Sequence, residues 1–196
     1  MRHRLADYGY KVSTGPLVWN RHKHGLRGGA GRGCYPLIWA ESVRPDGIFE
    51  FRAERRNHAP YFEPCAKEQW VVTDVPCVLL QRTTAKEQSR RLIAAELPAS
   101  FVKKHGAVVV ENHLNMIRPH GDAQRISVEA LVALLNTETM DQLFRCISGS
   151  VAVSAYELEA LPLPSPEEMA GIEKLLSEGA SRSAIECAVN QMYGAT

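Results

Sequence analysis

Two short apolar runs, each ending abruptly in hydrogen-bonding side chains, constrain this chain more than any other feature. Val78-Leu79-Leu80 gives way to Gln81-Arg82-Thr83-Thr84, and Ala107-Val108-Val109-Val110 gives way to Glu111-Asn112-His113. Unbroken apolar runs of this length suit strands covered on both faces. Central strands are therefore expected over residues 77–81 and 107–111, each delivering a polar row at its C-terminal end. Gln, Arg, Asn, His and Thr are the side chains that contact base edges and phosphates. Such rows suit a reading surface better than a reaction centre.

The remaining pattern predicts a mixed α/β (α+β) fold: a twisted mixed sheet followed by a helical C-terminal segment. Strands are expected at 8–12 and 17–20, joined by the turn Ser13-Thr14-Gly15-Pro16, and at 69–73. Residues 35–43 and 48–52 read as a hairpin across Arg44-Pro45-Asp46-Gly47. Residues 86–95 are amphipathic and predict a helix. After Ser127 the period changes to that of helices: Val128, Leu131, Leu134 and Leu135 form one stripe, with Ser127 as N-cap. Met140, Leu143, Phe144 and Ile147 form another. Ser165-Pro166-Glu167-Glu168 starts a further helix, with a capping serine, proline at the first position and acids in the first turn. A last helix is expected over 181–192. Trp19, Trp39 and Trp70 lie in apolar surroundings and are assigned to the core.

Composition narrows the class. The 196 residues are 45% hydrophobic and 23% charged, ordinary values for a globular chain with a core. No apolar run is long enough to span a bilayer, and the N-terminus lacks an apolar signal core. Five scattered cysteines, none in a C-x-x-C pair, suit reduced thiols, so a soluble cytoplasmic protein is expected. The net charge of +1 conceals a partition. Residues 1–125 hold 20 Lys and Arg against 12 Asp and Glu, whereas residues 126–196 hold 3 against 10. All seven histidines fall in the first part. A basic body with an acidic end is the pattern of a first part that meets phosphates and a last part that meets protein or solvent.

Two basic stretches stand out. Residues 21–33 hold Arg21, Lys23, Arg27 and Arg32 among five glycines and almost nothing apolar. They are expected to be a mobile cationic loop able to approach a phosphate backbone, or a surface insertion without a role. The glycines do not form a phosphate-cradling G-x-x-x-x-G-K-(S/T) loop. Residues 52–61 bring Arg55 and Arg56 close to Tyr61. His22-x-His24 is spaced to share a metal, but a third ligand is required and none with a suitable pattern lies nearby in sequence, so no metal site is expected. A Cys–His nucleophile built from His113 with Cys77 or Cys65 is unsupported, because a free cysteine usually serves as a small hydrophobe. Arg82 has two possible tasks: contacting DNA, or pairing internally with Glu87 or Glu111.

Four segments in order carry a resemblance. They are Val12-Ser13-Thr14-Gly15-Pro16-Leu17-Val18-Trp19-Asn20-Arg21, Tyr35-Pro36-Leu37-Ile38-Trp39-Ala40, the stretch from Val78 to Met116, and Ser148 to Leu158 leading into Leu161-Pro162-Leu163-Pro164. Together they resemble the C-terminal target-recognition domain of type II restriction–modification adenine DNA methyltransferases, over roughly residues 10–166. The resemblance implies a DNA target-recognition domain over 1–166, with 167–196 as a helical extension that docks on another part or caps the fold. It implies that double-stranded DNA is contacted by Arg21, Lys23, Arg27, Arg32, Arg55 and Arg56 from the loops. The polar rows would contribute Gln81, Arg82, Thr83, Thr84, Asn112, His113 and Asn115. Residues shared across such a family cannot encode its varying specificity. Arg82 is therefore expected to pair internally, Asn112, His113 and Asn115 to bind backbone or shape the cleft, and the variable loops 21–32 and 52–61 to read bases.

A complete enzyme of that family also carries a Gly-containing turn for S-adenosylmethionine and an N-P-P-(Y/F) tetrapeptide. This chain has neither; its nearest approach, Asn57-His58-Ala59-Pro60-Tyr61, has the wrong spacing. No catalytic residue is expected here, and S-adenosylmethionine is expected on a separate methyltransferase catalytic domain or subunit. The chain is then a fragment, a split subunit or a separately expressed domain. Three alternatives remain: half of a type I specificity subunit, a metal-dependent nuclease using Glu111 and Asp74, and an adaptor acting through the acidic helices. The first normally needs long coiled-coil spacers, and no heptad run is present.

Overall fold

The computed structural model describes residues 2–83, 89–121, 124–150 and 152–194. Nine strands are described: β1 (Tyr10–Thr14), β2 (Leu26–Arg27), β3 (Tyr35–Ile38), β4 (Tyr61–Phe62), β5 (Val72–Thr73), β6 (Cys77–Gln81), β7 (Ala94–Leu97), β8 (Val108–Val110) and β9 (Leu114–Pro119). The helices are α1 (Ala99–His105), α2 (Val128–Leu135), α3 (Glu138–Ile147), α4 (Ala155–Ala160), α5 (Pro166–Ser177) and α6 (Arg182–Tyr193). The strands form two sheets, so the fold is α+β. The first is antiparallel, in the order β1-β9-β6-β7; the second is mixed, in the order β2-β4-β3-β8-β5. Its β3–β8 pair is parallel, with Leu37 opposite Val109.

Alternation along the strands stacks these elements into layers. On β6, Val78 and Leu80 enter a core shared with α2, α3, α5 and α6, whereas Cys77 and Leu79 enter a second core between the sheets. Val108 and Val110 of β8 close that second core, and Val109 points the other way into a small cluster with Leu17, Leu37, Trp39, Phe62 and Val71. Both apolar runs therefore lack a polar face because each strand has apolar neighbours on two sides. β6 runs as the sequence predicts, and β8 occupies the centre of the expected 107–111 strand.

The helical half is tied together through its caps. Ser127 Oγ accepts from the Ala130 N–H at 3.1 Å, and Ser165 and Glu168 form a reciprocal capping box. Glu173 of α5 accepts from the Ser127 N–H at 2.7 Å, and Glu186 of α6 accepts from the N–H groups of Glu138 and Thr139. Carboxylates on α5 and α6 thus satisfy the orphan donors where α2 and α3 begin, favoured by the positive end of each helix dipole. Met169, Ile172, Ile185 and Val189 share the core that holds Tyr8, Tyr10 and Val12. In the Leu161-Pro162-Leu163-Pro164 segment both leucines are buried, and the carbonyls of Pro162 and Pro164 accept from the hydroxyls of Tyr193 and Tyr8. Burial pushes the Tyr8 hydroxyl up to about 12.

Several local expectations need correction. Residues Leu5–Tyr8 form a 3-10 turn closed by Gly9 at φ +77°, so the first strand starts at Tyr10. Residues 17–20 give one bridge, Leu17 to Glu111, and then the 3-10 turn Trp19–Arg21. The turn at 44–47 forms, with the Gly47 N–H donating to Arg44 O at 3.0 Å, but its arms pair as strands only at the single Val43–Phe49 bridge. The strand expected at 69–73 shrinks to β5 behind the 3-10 turn Ala66–Val71. Of the helix expected at 86–95, residues 86–88 lie outside the described residues, and residues 94–95 belong to β7. Two-residue alternation decides there: Leu92 and Ala94 face one core while Ile93, Ala95 and Leu97 face the other. Trp39 is buried, but Trp70 is 60% exposed, because Val71 takes the inward position of that turn.

Candidate nucleic-acid interface

Parts of the segments that carry the resemblance meet at one junction between the sheets. Gly15 passes so close to the end of β8 that a β-carbon there would lie 2.2 Å from Glu111 O. Its N–H donates to Leu114 O, the Leu17 N–H donates to Val110 O, and the Asn112 N–H donates to Leu17 O. On the other side the Arg82 N–H donates to His113 O, and the Val153 N–H donates to Arg82 O. Segments 13–17, 81–83, 111–115 and 152–154 are thus laced mostly by backbone bonds, and only glycine fits at position 15.

This lacing reassigns two of the expected DNA contacts. Gln81 is buried, and its amide nitrogen donates to Val43 O at 2.7 Å and Ala40 O at 3.2 Å. Asn115 is fully buried, donating to Val153 O at 2.7 Å and meeting Thr14 Oγ1 through its oxygen. Both supply hydrogen bonds that irregular backbone would otherwise lack. Arg82 does not pair with Glu111, and Glu87 lies outside the described residues. Arg82 Nη1 donates to Asn112 O at 3.3 Å, and the fully buried Glu111 carboxylate instead accepts from the His113 N–H and faces His113 Nδ1, both at 2.8 Å. His113 is itself 57% exposed, so the buried Glu111 side chain positions an imidazole at the surface. Thr83 is exposed beside the Thr83–Ala152 bridge, Asn112 is half-buried, and Thr84 lies outside the described residues.

The loops contribute the open cations. Arg21, Arg32 and Arg56 are exposed, and Lys23 Nζ lies 5.8 Å above the Trp19 ring. Arg27 is half-buried and paired with Glu63 at 2.7 Å, and exposed Arg55 lies 3.2 Å from Glu41. Glu41 also meets His58, which stacks on Trp39 at 3.7 Å, so the basic segment 54–58 is pinned to the second sheet. The stretch 21–33, expected as a mobile loop, is packed at its stem. Gly25 packs against Phe62, where a β-carbon would lie 2.4 Å from the ring, and β2 pairs with β4. Only the tip is left without packing: added β-carbons at Gly28 and Gly29 would meet nothing within 4 Å.

Folding also gathers residues that the sequence keeps apart. His22 Nδ1 lies 2.6 Å from Glu68 Oε1 and His24 Nε2 lies 3.2 Å from Glu68 Oε2, while Cys65 stands beside them. The Cys65 N–H and then His22 pull the Glu68 carboxyl down to about 2. Cys65-x-x-Glu68, some 40 residues from His22-x-His24, was the only sequence sign of this cluster. By contrast, Asp74 and Glu111 lie beyond opposite ends of β8, since Thr73 pairs with Val108 and Glu111 follows Val110. They make no carboxylate pair for a nuclease. The longest helices among the described residues, α5 and α6, run 12 residues each, short of a coiled-coil spacer. No described helix is long and apolar enough to cross a membrane.

The chain is 28% identical over 179 residues to the type II methyltransferase M.BsuBI of Bacillus subtilis, covering 90% of the chain and 35% of that protein. It is 27% identical over 176 residues to the type II methyltransferase M.PstI of Providencia stuartii, covering 89% of the chain and 34% of that protein. No family model matches. The chain is related to part of type II methyltransferases, and it spans about a third of the length of these relatives.

Proposed function

We propose that this chain is the DNA target-recognition part of an adenine-specific DNA methyltransferase from a type II restriction–modification system. One observation carries the reading. Nearly the whole chain aligns with about a third of two type II methyltransferases, and the chain itself contains neither the S-adenosylmethionine turn nor the N-P-P-(Y/F) tetrapeptide. What it does contain is cationic. Arg21, Lys23, Arg32 and Arg56 stand on loops of the mixed sheet, and His113 with Thr83 stands at the junction.

The residues present do not fit S-adenosylmethionine. β3 and β8 are the only parallel pair among the described strands, so there is no doubly wound sheet with a crevice at its strand ends. Methyl transfer is therefore assigned to a separate catalytic domain or subunit. This chain would hold the duplex by its phosphates, read the site from its loops, and present an adenine for flipping toward that partner.

Selection from a random-sequence duplex pool by the purified chain, across a salt series, tests this. A recovered motif whose affinity falls steeply with salt supports the reading. Absence of binding at low salt, both alone and with a matching catalytic polypeptide, overturns it.

A further inference from the structure

We propose that His24, Cys65 and Glu68 bind a single divalent transition-metal ion of the zinc class, with His22 as the residue that positions Glu68. One ligand atom from each of the three residues lies within 4.8 Å of the others, and no other such cluster of three occurs among the described residues. An imidazole nitrogen, a thiolate and a carboxylate oxygen are the donors zinc takes, and three protein ligands with one open position is a known zinc arrangement. His24 and Cys65 are exposed, so an ion can enter and water can complete the fourth position.

Local structure alone accounts for only part of this convergence. Glu68 caps the 3-10 turn Ala66–Val71 by accepting from the Cys65 N–H at 3.0 Å, which uses one lone pair of one oxygen. A cap needs no imidazoles. Yet two histidines from a separate segment turn their ring nitrogens onto the same carboxylate, the nearer at 2.6 Å. His22 is held by edge contacts with Phe62 and Trp70, and it meets Glu68 Oε1, whereas the Cys65 N–H meets Oε2. Holding a ligating carboxylate by a second hydrogen bond is how outer partners orient metal sites.

The charges balance. On binding, the Cys65 thiol proton leaves to solvent, and the thiolate and the Glu68 carboxylate together neutralise the dication. The ion would join residues 22–24 to residues 65–68 and fix the stem of the cationic loop. This inference stands apart from the DNA reading, because its test needs no DNA.

The full chain, stripped with chelator, is titrated with cobalt(II) and then zinc(II). A sulfur-to-cobalt charge-transfer band saturating at one equivalent and bleached by zinc is expected. Cys65→Ser should abolish that band. His24→Ala should weaken cobalt binding at least as much as loss of an outer partner does, about 10–100-fold. Cys187→Ser, on α6, should leave both unchanged. No band with the native chain, or an unchanged band in Cys65→Ser, overturns the site. If circular dichroism shows Cys65→Ser unfolded, the His24→Ala titration decides, and unchanged affinity there overturns it.

Discussion

The two halves of the molecule are held together by different means. The antiparallel sheet and its helices share a core of 24 buried residues, and the helix ends are closed by side chains from neighbouring helices. Beyond the core it shares with the first sheet, the mixed sheet rests on six buried residues on its outer face, and its loops are fixed by 3-10 turns, ion pairs and single bridges. The first arrangement derives its stability from apolar burial. The second keeps loops at the surface and spends its polar groups on holding them in position. One half is scaffold; the other displays side chains.

Substitutions can break that contrast, beginning with the deepest. Phe144→Ala removes a fully buried ring from the larger core and should cost about 3–5 kcal/mol in denaturant unfolding, enough to endanger the whole fold. Loss of only the C-terminal helices, with the mixed sheet intact, would show that the halves fold separately. Gly15→Ala should cost several kcal/mol, because its β-carbon would meet Glu111 O at 2.2 Å and the two sheets would have to separate there. Glu186→Ala removes the acceptor at the start of α3 and should cost about 1 kcal/mol, read from the same denaturation curves. Neutralising Lys23 or Arg56 should change stability by less than about 0.5 kcal/mol. If the loops contact phosphates, each should also lower the salt slope of DNA binding by about 1. A large stability loss from either would mean that the loops are structural.

Thiol chemistry sharpens the comparison without altering stability. Burial pushes the Cys77 thiol up to about 12, so at pH 8 it should stay unmodified by a thiol reagent until the chain unfolds. Exposed Cys65, Cys146 and Cys187 should react in the native state, and mass spectrometry of labelled peptides would tell them apart. Native labelling of Cys77 would mean that the space between the two sheets opens readily.

How much of this was legible followed the length of each signal. β6, β8 and the capped helices α2, α5 and α6 could be read from sequence, because each presents several residues of one period or a cap motif. The arms around 44–47, the turn at Trp19 and the strand at Ala94 could not, since two to four residues fix no period and tertiary packing decides. Gln81 and Asn115 stood among the expected DNA contacts, yet their amides donate to backbone carbonyls, which nothing in the local sequence reveals. The cluster at Glu68 was hidden for another reason: its halves are four residues or fewer each and lie some 40 apart. Of the candidate interface, the cationic character of the loops was visible and their anchoring to Glu41, Glu63 and Phe62 was not.

The tip of the glycine-rich loop has a consequence for how such a chain can change. Its stem is locked by Gly25 against Phe62 and by the β2–β4 pair, but side chains added at Gly28 or Gly29 would project into open space. Lengthening a tip of this kind costs little, because each doubling of a flexible loop adds only about 0.6 kcal/mol of closure entropy. Residues there can be exchanged, inserted or charged while the sheet beneath remains the same. A chain built this way can acquire a new vocabulary without relearning how to fold.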